Sequence, residues 1–123
     1  GKDVTVVTYS RMVHYSLDAA AKLAERGIDA AVIDLRTLNP LDMATVIAHV
    51  EQTGRAAVVS EGCSTAGVAS ELAARISEEC FDFLQDPVCR IAGEDIPIPL
   101  APALEAGAIP SAASIAAAVA RMF

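Results

Sequence analysis

The chain has no tryptophan, and only two tyrosines and three phenylalanines in 123 residues. Its interior must therefore be filled by small aliphatic side chains, which the 54% hydrophobic content supplies largely as Ala, Val, Ile and Leu. Cysteine is scarce and odd in number: Cys63, Cys80 and Cys89, with no C-x-x-C pair. That argues against a disulfide framework or a zinc site and for a reducing, cytoplasmic setting. Positive charge is also short, with nine Lys and Arg against sixteen Asp and Glu and a net charge of −7. Nucleic acid and anionic membrane are poor partners for such a chain, because both reward basic patches, whereas a basic protein suits it. No apolar run reaches the roughly 20 residues of a membrane span, and no signal-peptide pattern opens the sequence. The first residue is Gly1 and a strand-like run begins by Val4, so the expectation is a single domain, residues 1–123, cut from a longer polypeptide.

The remaining pattern alternates. Val4 to Tyr9 is a β-branched run and reads as a strand. Ser10 is placed to cap a helix from about Arg11 to Arg26, with Val13, Leu17, Ala20, Leu23 and Ala24 as its inward face and Gly27 as a left-handed stop. Ala30 to Leu35 is a second strand. Asp42 caps a second helix, with Met43, Val46, Ile47 and Val50 inward and Gly54 closing it. Ala56 to Ser60 is a third strand, followed by a helix from about Ala66 to Phe81 with Val68, Leu72, Ala73 and Ile76 inward. Val88 to Ala92 is a fourth strand. Pro97, Pro99, Pro102 and Pro110 then interrupt Glu94–Pro110, which excludes a long helix or an inner strand there. We read that stretch as an ordered strap with Glu94, Asp95 and Glu105 facing out. Ser111 caps a last, Ala-rich helix through Met122. Alternating strands and helices with nearly unbroken apolar strands predict an α/β fold, a parallel sheet covered on both faces.

The stretch SEGCSTAGVASE, residues 60–71, offers three chemistries. Gly62 and Gly67 have the spacing of a phosphate loop, but the lysine and hydroxyl that should follow the second glycine are replaced by Val68 and Ala69. The favoured reading is a tight βα turn. Cys63 at the start of a helix would need a base to act as a nucleophile, and His14 and His49 are the only histidines. His14 opens the first helix, and His49 sits late in its helix at an exposed position. Cys63 as a small filler and His14 as a surface residue are preferred to a Cys–His pair. Glu61 stands at the carboxyl end of a strand, where open α/β sheets bind ligands; a cap or a salt bridge is the simpler role.

Four stretches carry a resemblance: DVTVVTYSRMVHYSLDAA, VIDLRTLNPLD, EGCSTAGVASELAARI, and DPVCRIAGEDIPIP with LE…IP after it. Together they resemble the carboxy-terminal domain of the beta subunit of thiamine-diphosphate-dependent 2-oxo acid dehydrogenases, of pyruvate dehydrogenase type. Branched-chain and acetoin dehydrogenases share this domain, and transketolase has a more distant version. The resemblance implies a three-layer α/β/α fold whose four parallel strands run in the order 2-1-3-4. By the resemblance, the family's first, antiparallel strand is expected to lie before Gly1 and to be missing here, which would leave the second strand as a bare edge. It also implies that thiamine diphosphate and magnesium bind elsewhere in the parent enzyme, so this domain holds no cofactor, metal or catalytic residue. Its partners would be the alpha subunit, a second beta subunit and the basic binding domain of the dihydrolipoyl acyltransferase core. Carried over by position, the docking residues are Gln85, Asp86, Arg90 and the terminal carboxylate of Phe123. Gln85 departs from an acidic pattern and Leu100 from an aromatic one. The competing readings are a flavodoxin-like binder of a small ligand and a small enzyme using Cys63 and His14.

Overall fold

The computed structural model describes residues Gly1–Phe123. Four strands, β1 (Val4–Thr8), β2 (Ala30–Asp34), β3 (Ala56–Cys63) and β4 (Cys89–Gly93), alternate with α1 (Met12–Ala24), α2 (Met43–Thr53) and α3 (Val68–Glu79), and α4 (Pro102–Ala108) and α5 (Ala112–Ala120) follow. All strand pairings are parallel and the order is β2-β1-β3-β4, as the resemblance implied. Alternate residues of a strand face opposite sides, and that split divides the core in two. Val4, Val6, Ala57, Val59 and Ile91 pack under α1 and α5 through Met12, Ala19, Leu23, Ile115 and Val119. Val7, Ala56 and Val58 pack under α2 and α3 through Met43, Val46, Val50, Leu72 and Ile76. The result is a three-layer α/β/α domain whose central strands are sealed on both sides.

Polar groups inside this sandwich are paired, apart from the Ser16 hydroxyl of α1, which is buried without a partner. The hydroxyls of Thr5 and Thr53 meet at 2.8 Å, and the Thr8 hydroxyl donates to the Val59 carbonyl at 3.0 Å. Asp42 caps α2 as expected: the Thr45 hydroxyl and N–H donate to its carboxylate and hold that carboxyl below its ordinary range. Gly54 ends α2 at φ +70°, a left-handed position that favours glycine. Ser111 and Ser114 form a reciprocal capping box on α5.

The structure corrects three readings of the pattern. Ser10 does not cap α1; it sits at φ +58°, and Arg11 is the N-cap, without a side-chain bond. The buried face of α1 is Met12, Ser16, Ala19 and Leu23; Leu23 was expected there, but the rest of the stripe is shifted by one residue, and Leu17 is 52% exposed. Small side chains face inward here because α5 shares that layer, its own buried positions including Ala116 and Ala118. The strap also contains a helix, α4, which begins at Pro102, where a missing N–H costs nothing. Residues Pro102–Ala120 are apolar enough in composition to cross a membrane, but Ile109 is extended ahead of Pro110 and splits them into helices of seven and nine residues. Nine residues of helix extend only about 14 Å, against about 30 Å of hydrocarbon.

These packing differences set the expected response to truncation. Ile115→Ala, at a fully buried position, should lower the unfolding free energy by about 2–5 kcal/mol in urea titrations. Leu17→Ala should change it by less than about 0.5 kcal/mol.

Candidate functional site

At the carboxyl end of the sheet, the 60–71 stretch is built differently from a phosphate loop. β3 runs on through Cys63, with an irregularity between Val59 and Cys63. Gly67 is required by close approach: a Cβ there would lie 2.2 Å from the Cys63 carbonyl oxygen. Gly62 is under no such demand, since its Cβ would meet only the Ser60 hydroxyl at 3.4 Å. The loop's donors already hold an anion from this chain. The Thr65 N–H donates to Asp95 Oδ1 at 2.9 Å, and the Thr65 hydroxyl donates to Asp95 Oδ2. These two bonds, hydroxyl first, keep the Asp95 carboxyl below its ordinary range. A diphosphate would meet a carboxylate where it needs donors. No group of three or more His, Cys, Asp or Glu side chains gathers to hold a metal ion. These residues therefore do not fit thiamine diphosphate with its magnesium.

Nor does the structure bring Cys63 and His14 together. Cys63 is exposed rather than a filler, in a shallow depression with Thr65, Asp95, Ile96 and Pro97. His14 lines a separate depression with Ser10, Val13, Asp34 and Arg36. His49 is half-buried, not exposed, with Nδ1 3.0 Å from the Thr45 carbonyl oxygen. Burial pushes the Cys80 and Cys89 thiols up, which makes them poor nucleophiles. Glu61 takes the salt-bridge role. Arg11, which the sequence gave no reason to single out, binds Glu61 and, at 2.6 Å, Glu105 of α4.

That contact adds ties to the expected strap: Glu94 and Asp95 stay exposed and Glu105 is half-buried, but Asp95 binds Thr65, Glu105 binds Arg11, and the Glu94 N–H donates to the Ala108 carbonyl at 2.8 Å. Apolar residues are left outside as well: Ile96, Ile98, Leu104 and, at 99% exposure, Leu100. The strap is pinned near its two ends by its Thr65, Arg11 and Ala108 contacts.

The other end of the sheet gathers three of the four docking residues. The Gln85 N–H donates to the Gly54 carbonyl at 2.8 Å. The next residue in each segment extends that contact: Arg55 Nε donates to Asp86 Oδ2 at 2.9 Å and to the Met122 carbonyl at 3.2 Å. The Arg55 guanidinium lies 4.5 Å from the centroid of the Phe123 ring. Arg90 does not join them; it turns to the Ser64 carbonyl and the Ser70 hydroxyl. Two further residues belong with this end. α3 stops at Glu79 rather than at Phe81, leaving Phe81 77% exposed beside a cleft of about 400 Å³ that Asp86 also lines, and Phe83 48% exposed. With Phe123, all three phenylalanines of the chain are outside.

Residues 1–115 match the family described as transketolase, C-terminal domain. The chain belongs to the transketolase C-terminal domain family. As a member it is 53% identical over 110 residues, 89% of its length, to the pyruvate dehydrogenase E1 component subunit beta-1 of Arabidopsis thaliana. It is 48% identical over 118 residues, 96% of its length, to the beta subunit of an acetoin:2,6-dichlorophenolindophenol oxidoreductase of Cupriavidus necator. It covers 30% and 35% of those two proteins, so this transketolase C-terminal domain spans about a third of the curated relatives it matches. Among solved structures, a chain described as split gene transketolase, inactive beta4 tetramer, superposes with a TM-score of 0.85 at 31% identity, over 98% of this chain and 39% of that one. The fold and the family expected from the sequence are thus established, and the chain is homologous to subunits that form parts of enzymes.

The Asp95 tie gives the domain an acid-sensitive loop. A carboxyl held below its ordinary value contributes stability above its unfolded-state pKa, about 3.9, and loses it as pH falls through the folded value. Asp95→Asn should lower the urea midpoint at neutral pH, and its gap from the parent chain should close as pH drops from about 4 downward. A gap that stays constant across that range would assign the effect to something other than the carboxylate.

Proposed function

We propose that this chain is the subunit-joining and docking domain of a thiamine-diphosphate-dependent 2-oxo acid dehydrogenase beta subunit of pyruvate dehydrogenase type. In the parent enzyme the 2-oxo acid is decarboxylated on the cofactor and the acyl group passes to lipoyl. This domain supplies contacts and takes no chemical step. Its setting is the reducing cytoplasm, compatible with three free cysteines.

The observation that carries the reading is the exposed aromatic and acidic surface around Asp86. A chain so poor in aromatics leaves Phe81, Phe83 and Phe123 in solvent, and residues 78–86 add Glu78, Glu79, Asp82 and Asp86 with no Lys or Arg among them. Exposed aromatics beside fixed charge are the usual anchors of protein interfaces. The charge suits a basic partner, the binding domain of the dihydrolipoyl acyltransferase core. The strap's Ile96, Ile98, Leu100 and Leu104 form a second apolar surface, which we assign to the alpha subunit or the second beta subunit. A chain of this fold described as an inactive beta tetramer supports a joining role. The likeness to an acetoin oxidoreductase beta subunit keeps acetoin as a second substrate reading, because neither surface touches the substrate.

Calorimetric titration with the basic acyltransferase binding domain tests the docking. Asp86→Asn and Phe81→Ala should each weaken binding by roughly ten-fold or more, and raising the salt should slow association. A parent chain that fails to bind, or variants that bind as the parent does, would overturn the reading.

A further inference from the structure

We infer that Arg55 is the positioning residue of this docking end: it strengthens capture of a basic partner although it carries the partner's own sign of charge. The inference rests on the docking reading above. Its basis is the number of separate segments that converge on one guanidinium. Asp86 comes from the α3–β4 connection, Met122 and Phe123 from the end of α5, and Arg55 from the start of β3. Apart from the Arg55 contacts, the backbone N–H groups of Met122 and Phe123 donate only to Val119 and Ala120, within their own last turn. Arg55 Nε divides its N–H between Asp86 Oδ2 and the Met122 carbonyl, while the flat guanidinium lies over the Phe123 ring.

Arg55 is itself held firmly. Its carbonyl accepts from the Thr5 N–H at 2.9 Å and from the Thr53 hydroxyl at 3.0 Å, so its backbone is part of the central sheet. Its side chain is 22% exposed, against 39% for Asp86. The arginine is thus the inner member of the pair, and Asp86 is the member a partner meets. Oδ2 of Asp86 faces Arg55, leaving Oδ1 for a cation arriving from outside.

Charge alone and position alone predict opposite results. If Arg55 acted only as a charge, removing it would make the surface more negative and tighten binding of a basic partner. If it positions Asp86 and Phe123, removing it frees both and weakens binding. The geometry favours position, because a guanidinium can stack on a ring and share a directed N–H at once, and an ammonium cannot.

The test is calorimetry of the basic acyltransferase binding domain with the parent chain, Arg55→Gln, Arg55→Lys, Asp86→Asn and the Arg55→Gln/Asp86→Asn double variant. Arg55→Gln should weaken binding by roughly ten-fold, Arg55→Lys should not restore it, and the double variant should lose less than the product of the two single losses, since part of the Arg55→Gln loss acts through Asp86. Tighter binding by Arg55→Gln, or two losses that simply multiply in the double variant, would overturn the inference while leaving docking intact. If Asp86→Asn binds as the parent does, the docking reading falls and the inference with it. Proton NMR supplies a readout that needs no partner: in Arg55→Gln the Phe123 ring signals should move to unstructured positions while the core methyl signals stay. Ring signals that do not move would equally count against the inference.

Discussion

The two central strands are buried on both faces, and everything at the ends of this molecule depends on that. β1 is buried at all five positions and β3 at its first five. With almost no aromatic bulk available, small aliphatic residues fill two thin cores, one beneath each helical layer. Such packing leaves little slack, since interiors are close-packed and a missing methyl group is felt. The strands therefore act as fixed rods, and the loops at either end are carried at defined separations.

The two ends use that rigidity differently. At the carboxyl end, where an α/β sheet would ordinarily hold a ligand, the donors and charges are turned on one another. Asp95 occupies Thr65, and Arg11 draws Glu61 and Glu105 together. A phosphate arriving there would meet Asp95, already bound to the Thr65 donors. The same ties fasten the strap at its margins and leave its apolar middle outside. At the amino end, Arg55 connects the start of β3, the approach to β4 and the last turn of α5. There Phe81, Phe83 and Phe123 are exposed and Asp86 is partly exposed.

How much of this was legible depended on whether the signal was local. Asp42, Gly54 and Ser111 were read correctly because a cap is decided within a few residues. The parallel sheet was legible because strands covered on both sides read as continuous apolar runs. The inward face of α1 was misjudged, because Leu17 outweighs Ser16 in any hydrophobic pattern and only the presence of α5 makes a small-residue face the right one. The acidic residues of the strap were read as outward, and Asp95 is exposed, but its tie to Thr65 and that of Glu105 to Arg11 were not legible. Acidic residues in a proline-rich loop normally face water, and their partners, Thr65 and Arg11, lie far away in the chain.

The candidate docking residues divide the same way. Asp86 and Phe123 could be named from a family pattern, but Arg55, Phe81 and Phe83 could not. Arg55 matters only through contacts 31 and 67 residues away, and the exposure of Phe81 rests on which segments pack nearby, since it lies beyond the end of α3 at Glu79. The sequence by itself determined the class of fold, the strand order implied by its family, and the turns and caps, because short-range patterning and backbone preference suffice for those. Which charges cancel one another and which hydrophobic residues are left in solvent was decided by tertiary structure, since both depend on segments that meet only once the sheet has closed.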